Sequence, residues 1–158
     1  MKKTAYIGLF IIILMFGSTF AYAIIQGGWN SGEVSLPETN VINYELSLSQ
    51  KYTALMKGMI ILNYKYSQAC ENCLENKDYL EQLAYDSQFG GQMFVEEILV
   101  NDTGELPILN MTGFKISENR IELDYREFQG ENVTQNSTFD AVCELMIDPP
   151  IDCTLKKV

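Results

Sequence analysis

Two cysteines with two residues between them, Cys70-Glu71-Asn72-Cys73, stand between two contrasting stretches of this 158-residue chain. The stretch before them, residues 59–64, is almost continuously apolar, which is typical of a strand covered on both faces of a sheet. The stretch after them, residues 74–84, repeats leucine and alanine at roughly helical spacing, and two glycines follow it. The cysteines are therefore predicted to lie where a buried strand gives way to the N-terminus of a helix.

A cysteine pair in that position can carry redox chemistry. The unpaired amides and the dipole at a helix N-terminus stabilise a thiolate. Cys70 is therefore the predicted nucleophile that attacks a substrate disulfide, and Cys73, one turn further on, is the predicted resolving thiol. The carboxylate of Glu71 beside Cys70 opposes thiolate formation. We therefore expect a more reducing couple than that of the strongest oxidases, which have potentials near about −120 mV.

The remaining segments indicate a sheet with helices on its faces. Strands and helices alternate early in the chain, and a hairpin follows, which favours an α/β domain with a mixed sheet. Apolar residues alternate with polar ones at Ile121, Leu123 and Tyr125, as in a half-exposed antiparallel strand. The other predicted elements are a helix over 48–57, strands over 93–100 and 108–111, and a helix over 139–147 with Thr138 as its cap.

The motif resembles that of the thioredoxin-like superfamily. Residues 66–73 are similar to the aromatic-Ser-x-x-C-x-x-C of that superfamily, and Leu106-Pro107-Ile108 follows at a compatible distance. The resemblance covers residues 45–150. It implies that Pro107 is a cis-proline opening the strand beside the CxxC, with Leu106 and Pro107 forming part of the substrate groove. The chain departs from the family at Ala69, where thioredoxins carry tryptophan, and at the residues between the two cysteines.

The first residues, 1–25, indicate export. Two lysines precede a long uncharged stretch, and Ala21-Tyr22-Ala23 provides the small residues that a signal peptidase requires. The stretch 4–25 is also long enough to span a bilayer if it is not cleaved, so a signal peptide and a membrane anchor are both open. In either case the lysines stay inside, and the rest of the chain is expected outside the cytoplasm, secreted or anchored to the cell membrane.

Residues 26–45 are rich in glycine, proline and polar residues, which predicts a linker or lead-in before a domain over 46–158. Disulfides persist outside the cytoplasm, so we expect Cys143 and Cys153 to form a structural disulfide worth about 2–3 kcal/mol. Two alternatives for the CxxC stay open. It could be an inert structural disulfide, or it could form a four-thiolate zinc site with the other pair, which the spacing of that pair disfavours.

Composition excludes several other classes of protein. The chain has no histidine, which removes histidine-dependent hydrolase triads and His-ligated metal sites. Its net charge of −10 opposes binding to nucleic acids. Glu96 and Glu97 are interpreted as the solvated edge of a strand, because adjacent strand residues face opposite ways.

The function predicted from these observations is an extracytoplasmic thiol–disulfide oxidoreductase that acts on protein thiols and disulfides. It would use no cofactor and no metal, and an unidentified redox partner would recharge it. The alternative function is a non-catalytic binding module with the thioredoxin fold, stapled by two structural disulfides.

Overall fold

The structure, a computed structural model, describes residues 34–89, 91–101, 106–117 and 120–155. The predicted leader over residues 1–25 lies outside these ranges. Among the helices that the structure describes, none is long and apolar enough to cross a membrane.

Five strands form one mixed sheet: β1 Val41–Ile42, β2 Ile60–Tyr66, β3 Met93–Leu99, β4 Ile108–Ser117 and β5 Arg120–Gln129. Their order across the sheet is β1-β3-β2-β4-β5. Strands β1 and β2 run parallel to β3, whereas β4 is antiparallel to both β2 and β5. The predicted mixed sheet is therefore confirmed, and the hairpin forms one end of it.

Within the described ranges, four helices accompany the sheet: α1 Leu48–Met56, α2 Glu71–Tyr85, α3 Gln135–Leu145 and α4 Ile151–Leu155. A 3-10 turn over Gly130–Asn132 connects β5 to α3. The larger core contains buried residues of α2 and α3 together with one face of the sheet, and a smaller core contains α1 and the opposite face. Helices thus lie on both faces, as the sequence predicts.

The two cores follow from the alternation of side chains along β2. Leu62 and Tyr64 lie in the larger core, whereas Ile61 lies in the smaller one. Helix α3 comes so close to β4 that a Cβ atom on Gly113 would lie 2.8 Å from the carbonyl oxygen of Leu145. Any larger residue at position 113 would push α3 away from the sheet.

Several boundaries differ from those that the sequence predicts; the strand predicted over 108–111, for example, extends to Ser117. The lead-in predicted over 26–45 contains a strand, because Val41–Ile42 pairs with β3 at the edge of the sheet. Helix α3 begins earlier than predicted, because its cap is Thr134, whose hydroxyl accepts a hydrogen bond from the Ser137 amide. Thr138, the predicted cap, is instead buried inside the helix.

The alternating segment in β5 does form an antiparallel strand, but it does not bury its apolar side. Ile121, Leu123 and Tyr125 are 60 %, 61 % and 53 % exposed. The strand lies at the outer edge of the sheet, and its main apolar contact with the larger core comes from Phe128 near its end. The alternation of apolar and polar residues therefore predicted the strand correctly. The burial of its apolar side chains, which such alternation normally indicates, is not found.

The interpretation of Glu96 and Glu97 as a solvated edge is wrong. Strand β3 is an inner strand, and the two side chains are 0 % and 8 % exposed. They do face opposite ways, and each meets a lysine from the helix on its side. Lys51 of α1 lies 3.4 Å from Glu96, and Lys77 of α2 lies 3.2 Å from Glu97.

Candidate active site

The CxxC motif lies where β2 ends and α2 begins. Cys70 is the N-cap residue of α2, and its side chain makes no capping hydrogen bond. A disulfide joins Cys70 to Cys73, with Cα atoms 5.2 Å apart. Cys73 is fully buried, whereas Cys70 is partly exposed. A partner molecule can therefore approach the sulfur of Cys70 more readily than that of Cys73.

Buried β2 holds the second cysteine in place. The hydroxyl of Tyr64 donates a hydrogen bond of 2.8 Å to the backbone carbonyl of Cys73. The ring of Tyr64 stacks on that of Tyr66, with centroids 5.7 Å apart. Burial and the nearby Glu97 carboxylate raise the pKa of Tyr64, so its hydroxyl stays protonated and remains a donor.

The proline that the family resemblance singles out lies beside the motif. The Leu106–Pro107 peptide bond is cis, and Pro107 is buried. The carbonyl of Pro107 accepts a 2.8 Å hydrogen bond from the amide of Gly130. Gly130 has a φ of +56°, which glycine adopts without strain. This contact places the 3-10 turn beside Pro107.

A groove of about 870 Å³ opens between these parts and includes Cys70 in its lining. Its walls come from α2, from the residues around Pro107, and from the segment that follows β5. The side-chain amide of Asn76 on α2 donates a hydrogen bond of 2.9 Å to the carbonyl of Val133, and this bond links two of the walls. The lining residues are Cys70, Asn72, Glu75, Asn76, Leu106, Pro107, Gln129, Gly130, Glu131, Asn132, Val133, Thr134 and Gln135.

A buried ion pair lies beneath the N-terminal half of α2. Lys77, one turn after Cys73, contacts both Glu97 and Glu81. Burial raises the pKa of Glu97, although Lys77 opposes the shift. Burial also works against the charge on Lys77, but its hydrogen bonds to Glu81 and Glu97 raise its pKa overall. One oxygen of Glu97 has no hydrogen-bond partner among the described residues.

The second cysteine pair occupies a different environment. Cys143 in α3 and Cys153 in α4 form a disulfide with Cα atoms 5.4 Å apart. The two residues are only 9 % and 5 % exposed, and both belong to the larger core. The bond ties the short helix α4 to α3. With both pairs joined in this way, the structure does not build the four-thiolate zinc site, and no metal-binding group is found among the residues it describes.

The structure thus brings Cys70, Cys73, Leu106 and Pro107 together. Cys143 and Cys153 do not belong to this group and form a second disulfide. Sequence reasoning missed the wall that follows β5. It also missed the ion pair under α2. The i,i+4 spacing of Lys77 and Glu81 is a local signal for part of it, but that spacing is also common on ordinary helix surfaces.

The mixed sheet flanked by helices, the CxxC at the start of a helix and the cis-proline beside it make this fold thioredoxin-like. No known protein-family model matches the chain, and no curated protein matches its sequence. Solved structures similar to the chain include Trxlp from Edwardsiella tarda, with 15 % identity over 65 % of this chain and 97 % of that one, and a TM-score of 0.44. A thioredoxin from Halobacterium salinarum is 13 % identical over 73 % of this chain and 100 % of its own, with a TM-score of 0.46. The germline-specific thioredoxin Deadhead from Drosophila melanogaster is 13 % identical over 70 % of this chain and 100 % of its own, with a TM-score of 0.42.

Proposed function

We propose that this protein is a thiol–disulfide oxidoreductase that acts on protein thiols and disulfides outside the cytoplasm. The observation that carries the proposal is the asymmetry of the CxxC pair. Cys70 is partly exposed in a groove at the N-terminus of α2, and Cys73 is buried behind it. An attacking and a resolving sulfur need this arrangement, because only the first must meet the substrate.

In the reductive direction, the thiolate of Cys70 attacks one sulfur of a substrate disulfide. The substrate S–S bond breaks, and the departing thiolate takes up a proton. Cys73 then loses its proton and attacks the sulfur of Cys70, which releases the second substrate thiol. Two electrons have passed to the substrate, and the Cys70–Cys73 disulfide has formed. A dithiol partner must reduce that bond again, and the reverse sequence oxidises a substrate dithiol.

A glutathione titration separates this function from the binding-module alternative. The purified protein is equilibrated in buffers of graded ratio of reduced to oxidised glutathione, and free thiols are counted by mass after alkylation. An active Cys70–Cys73 pair should change state reversibly while the fold remains intact. If both disulfides stay oxidised until the protein unfolds, the protein is a stapled binding module and the proposed activity is wrong.

The location outside the cytoplasm rests on the lysines and apolar stretch of residues 1–25. A fusion of the full chain to a reporter phosphatase that folds only after export tests it. We expect phosphatase activity from the fusion and none when residues 1–25 are deleted. Mass measurement of the exported protein then distinguishes cleavage after Ala23 from a retained anchor. An inactive full-length fusion would contradict the proposed location.

A further inference from the structure

The groove around Cys70 has an unusual charge pattern. Two of its lining residues are acidic, Glu75 on α2 and Glu131 in the 3-10 turn, and both are exposed. Among the residues that the structure describes, no lysine or arginine is part of the lining. Among the described residues, neither Glu75 nor Glu131 forms a salt bridge. The carboxylates therefore meet solvent on two different walls of one groove.

Two cations on the elements that form or lead to the groove walls are already paired with other carboxylates. Lys77, which shares α2 with Glu75, contacts Glu81 and Glu97. Arg126, in the strand that leads to the turn, contacts Asp124 and Glu144. Each of these cations is balanced by two acidic groups. The negative charge of the groove can therefore pair with positive charge on a molecule that enters it.

Six of the other lining residues are polar. Amide and hydroxyl side chains can donate hydrogen bonds to a peptide backbone and accept them from it, but they carry no charge that would attract an ion. Of the three apolar lining residues, Pro107 and Val133 are buried, so Leu106 provides most of the apolar contact. An apolar peptide would therefore gain little by entering. The polar lining residues are Asn72, Asn76, Gln129, Asn132, Thr134 and Gln135.

We infer that the groove selects substrates whose reactive cysteine is flanked by lysine or arginine. This inference rests on the proposed redox function, in which the sulfur of Cys70 is the reacting group. The carboxylates of Glu75 and Glu131 then favour the binding of substrates with positive charge near the reactive cysteine. The net charge of −10 acts in the same direction, because it attracts basic proteins from a distance. The partner class is thus a basic segment of a disulfide-bonded protein.

Three matched peptide disulfides test the inference. Each is a symmetric dimer of a short peptide whose central cysteine is flanked by two lysines, two glutamines or two glutamates. The full-length protein, reduced beforehand, is mixed with each peptide, and the rate of peptide reduction is measured at low and high salt. We expect the lysine peptide to react about tenfold faster than the glutamate peptide at low salt, with the glutamine peptide between them. Salt should shrink the ratio.

Two double variants locate the source of the preference. Glu75→Gln with Glu131→Gln should remove most of the preference for the lysine peptide over the glutamate peptide. Glu38→Gln with Glu122→Gln removes the same charge outside the groove lining, and it should leave most of the preference in place. A preference lost equally in both variants would assign it to the overall charge and overturn the role of the groove.

The remaining outcomes also decide between the two claims. Equal rates for the three peptides, or a preference for the glutamate peptide, would overturn the inference while leaving the redox function intact. If none of the peptides reacts, the proposed function itself fails, and this inference fails with it.

Discussion

The two disulfides of this protein are the same bond in two different settings. Cys70–Cys73 lies at the start of a helix, with one partly exposed sulfur in a groove and one buried sulfur behind it. Cys143–Cys153 joins two helices, and both its residues are buried in the larger core. Reactivity in disulfide exchange requires access for an attacking thiol. Under the proposed function, we therefore expect exchange at the first bond and stabilisation from the second.

The largest expected difference is in activity. Replacing the proposed nucleophile in Cys70→Ala should reduce the rate of disulfide exchange by about 1000-fold, because Cys70 is the only cysteine in the described part of the groove lining. The double variant Cys143→Ala with Cys153→Ala should keep its rate within about threefold while the protein remains folded. Both are measured by reduction of a fluorescent peptide disulfide. If both variants lose disulfide-exchange activity equally, the proposed difference in reactivity between the two bonds is wrong.

The two cysteines of the first pair should also differ from each other. Cys73→Ser leaves an accessible Cys70 with no resolving thiol, so a mixed disulfide with substrate should accumulate and persist. Cys70→Ser should trap nothing, because Cys73 is fully buried. Non-reducing electrophoresis and mass spectrometry after acid quenching measure the adduct. An adduct formed equally well on Cys73 would reverse the assigned roles.

Stability should change in the opposite order. The Cys143–Cys153 bond spans a sequence separation of 10 residues, against 3 for the CxxC. Because a longer loop restricts the unfolded chain more, removing both cysteines of the longer loop to alanine should cost about 3 kcal/mol. Removing both cysteines of the CxxC should cost about 2 kcal/mol by the same relation. Urea unfolding of the two double variants measures the difference.

The smallest effect concerns the ion pair under the CxxC helix. Burial raises the pKa of Glu97 above its ordinary value of 4.5. Between that value and the raised one, the folded protein binds more protons than the unfolded chain, so stability falls as pH rises through this window. Glu97→Gln should remove this fall, whereas Glu122→Gln on the exposed edge strand should retain it. Urea unfolding midpoints measured across this pH range test whether stability falls as pH rises. If stability falls just as steeply with pH in Glu97→Gln as in the unchanged protein, the prediction is wrong.

Local pattern was enough to predict the part of the site that one segment builds. An apolar run, two cysteines and a helical repeat are adjacent along the chain, and the strand–CxxC–helix junction is built from them alone. The cis-proline needed the family resemblance, because Pro107 comes 34 residues after Cys73 in the sequence. The structure places it in the same groove.

The errors fall where neighbours come from elsewhere in the chain. Glu96 and Glu97 look like a solvated edge in sequence, yet lysines from two different helices meet them in the interior. Ile121 and Leu123 look like the buried face of a strand, yet their place at the sheet edge leaves them exposed. In each case an ordinary local pattern was correct about the strand and silent about its surroundings.

The sequence by itself determined the class of fold and the place of the CxxC pair between a buried strand and the start of a helix. Those features depend on residues that are close in the chain, since periodicity and helix termini are local properties. Only the tertiary structure decided how the groove is walled and charged. Glu75 and Glu131 are far apart in sequence, and the sheet with its final turn brings both to the lining around Cys70. Long-range packing, which no local pattern encodes, sets that arrangement.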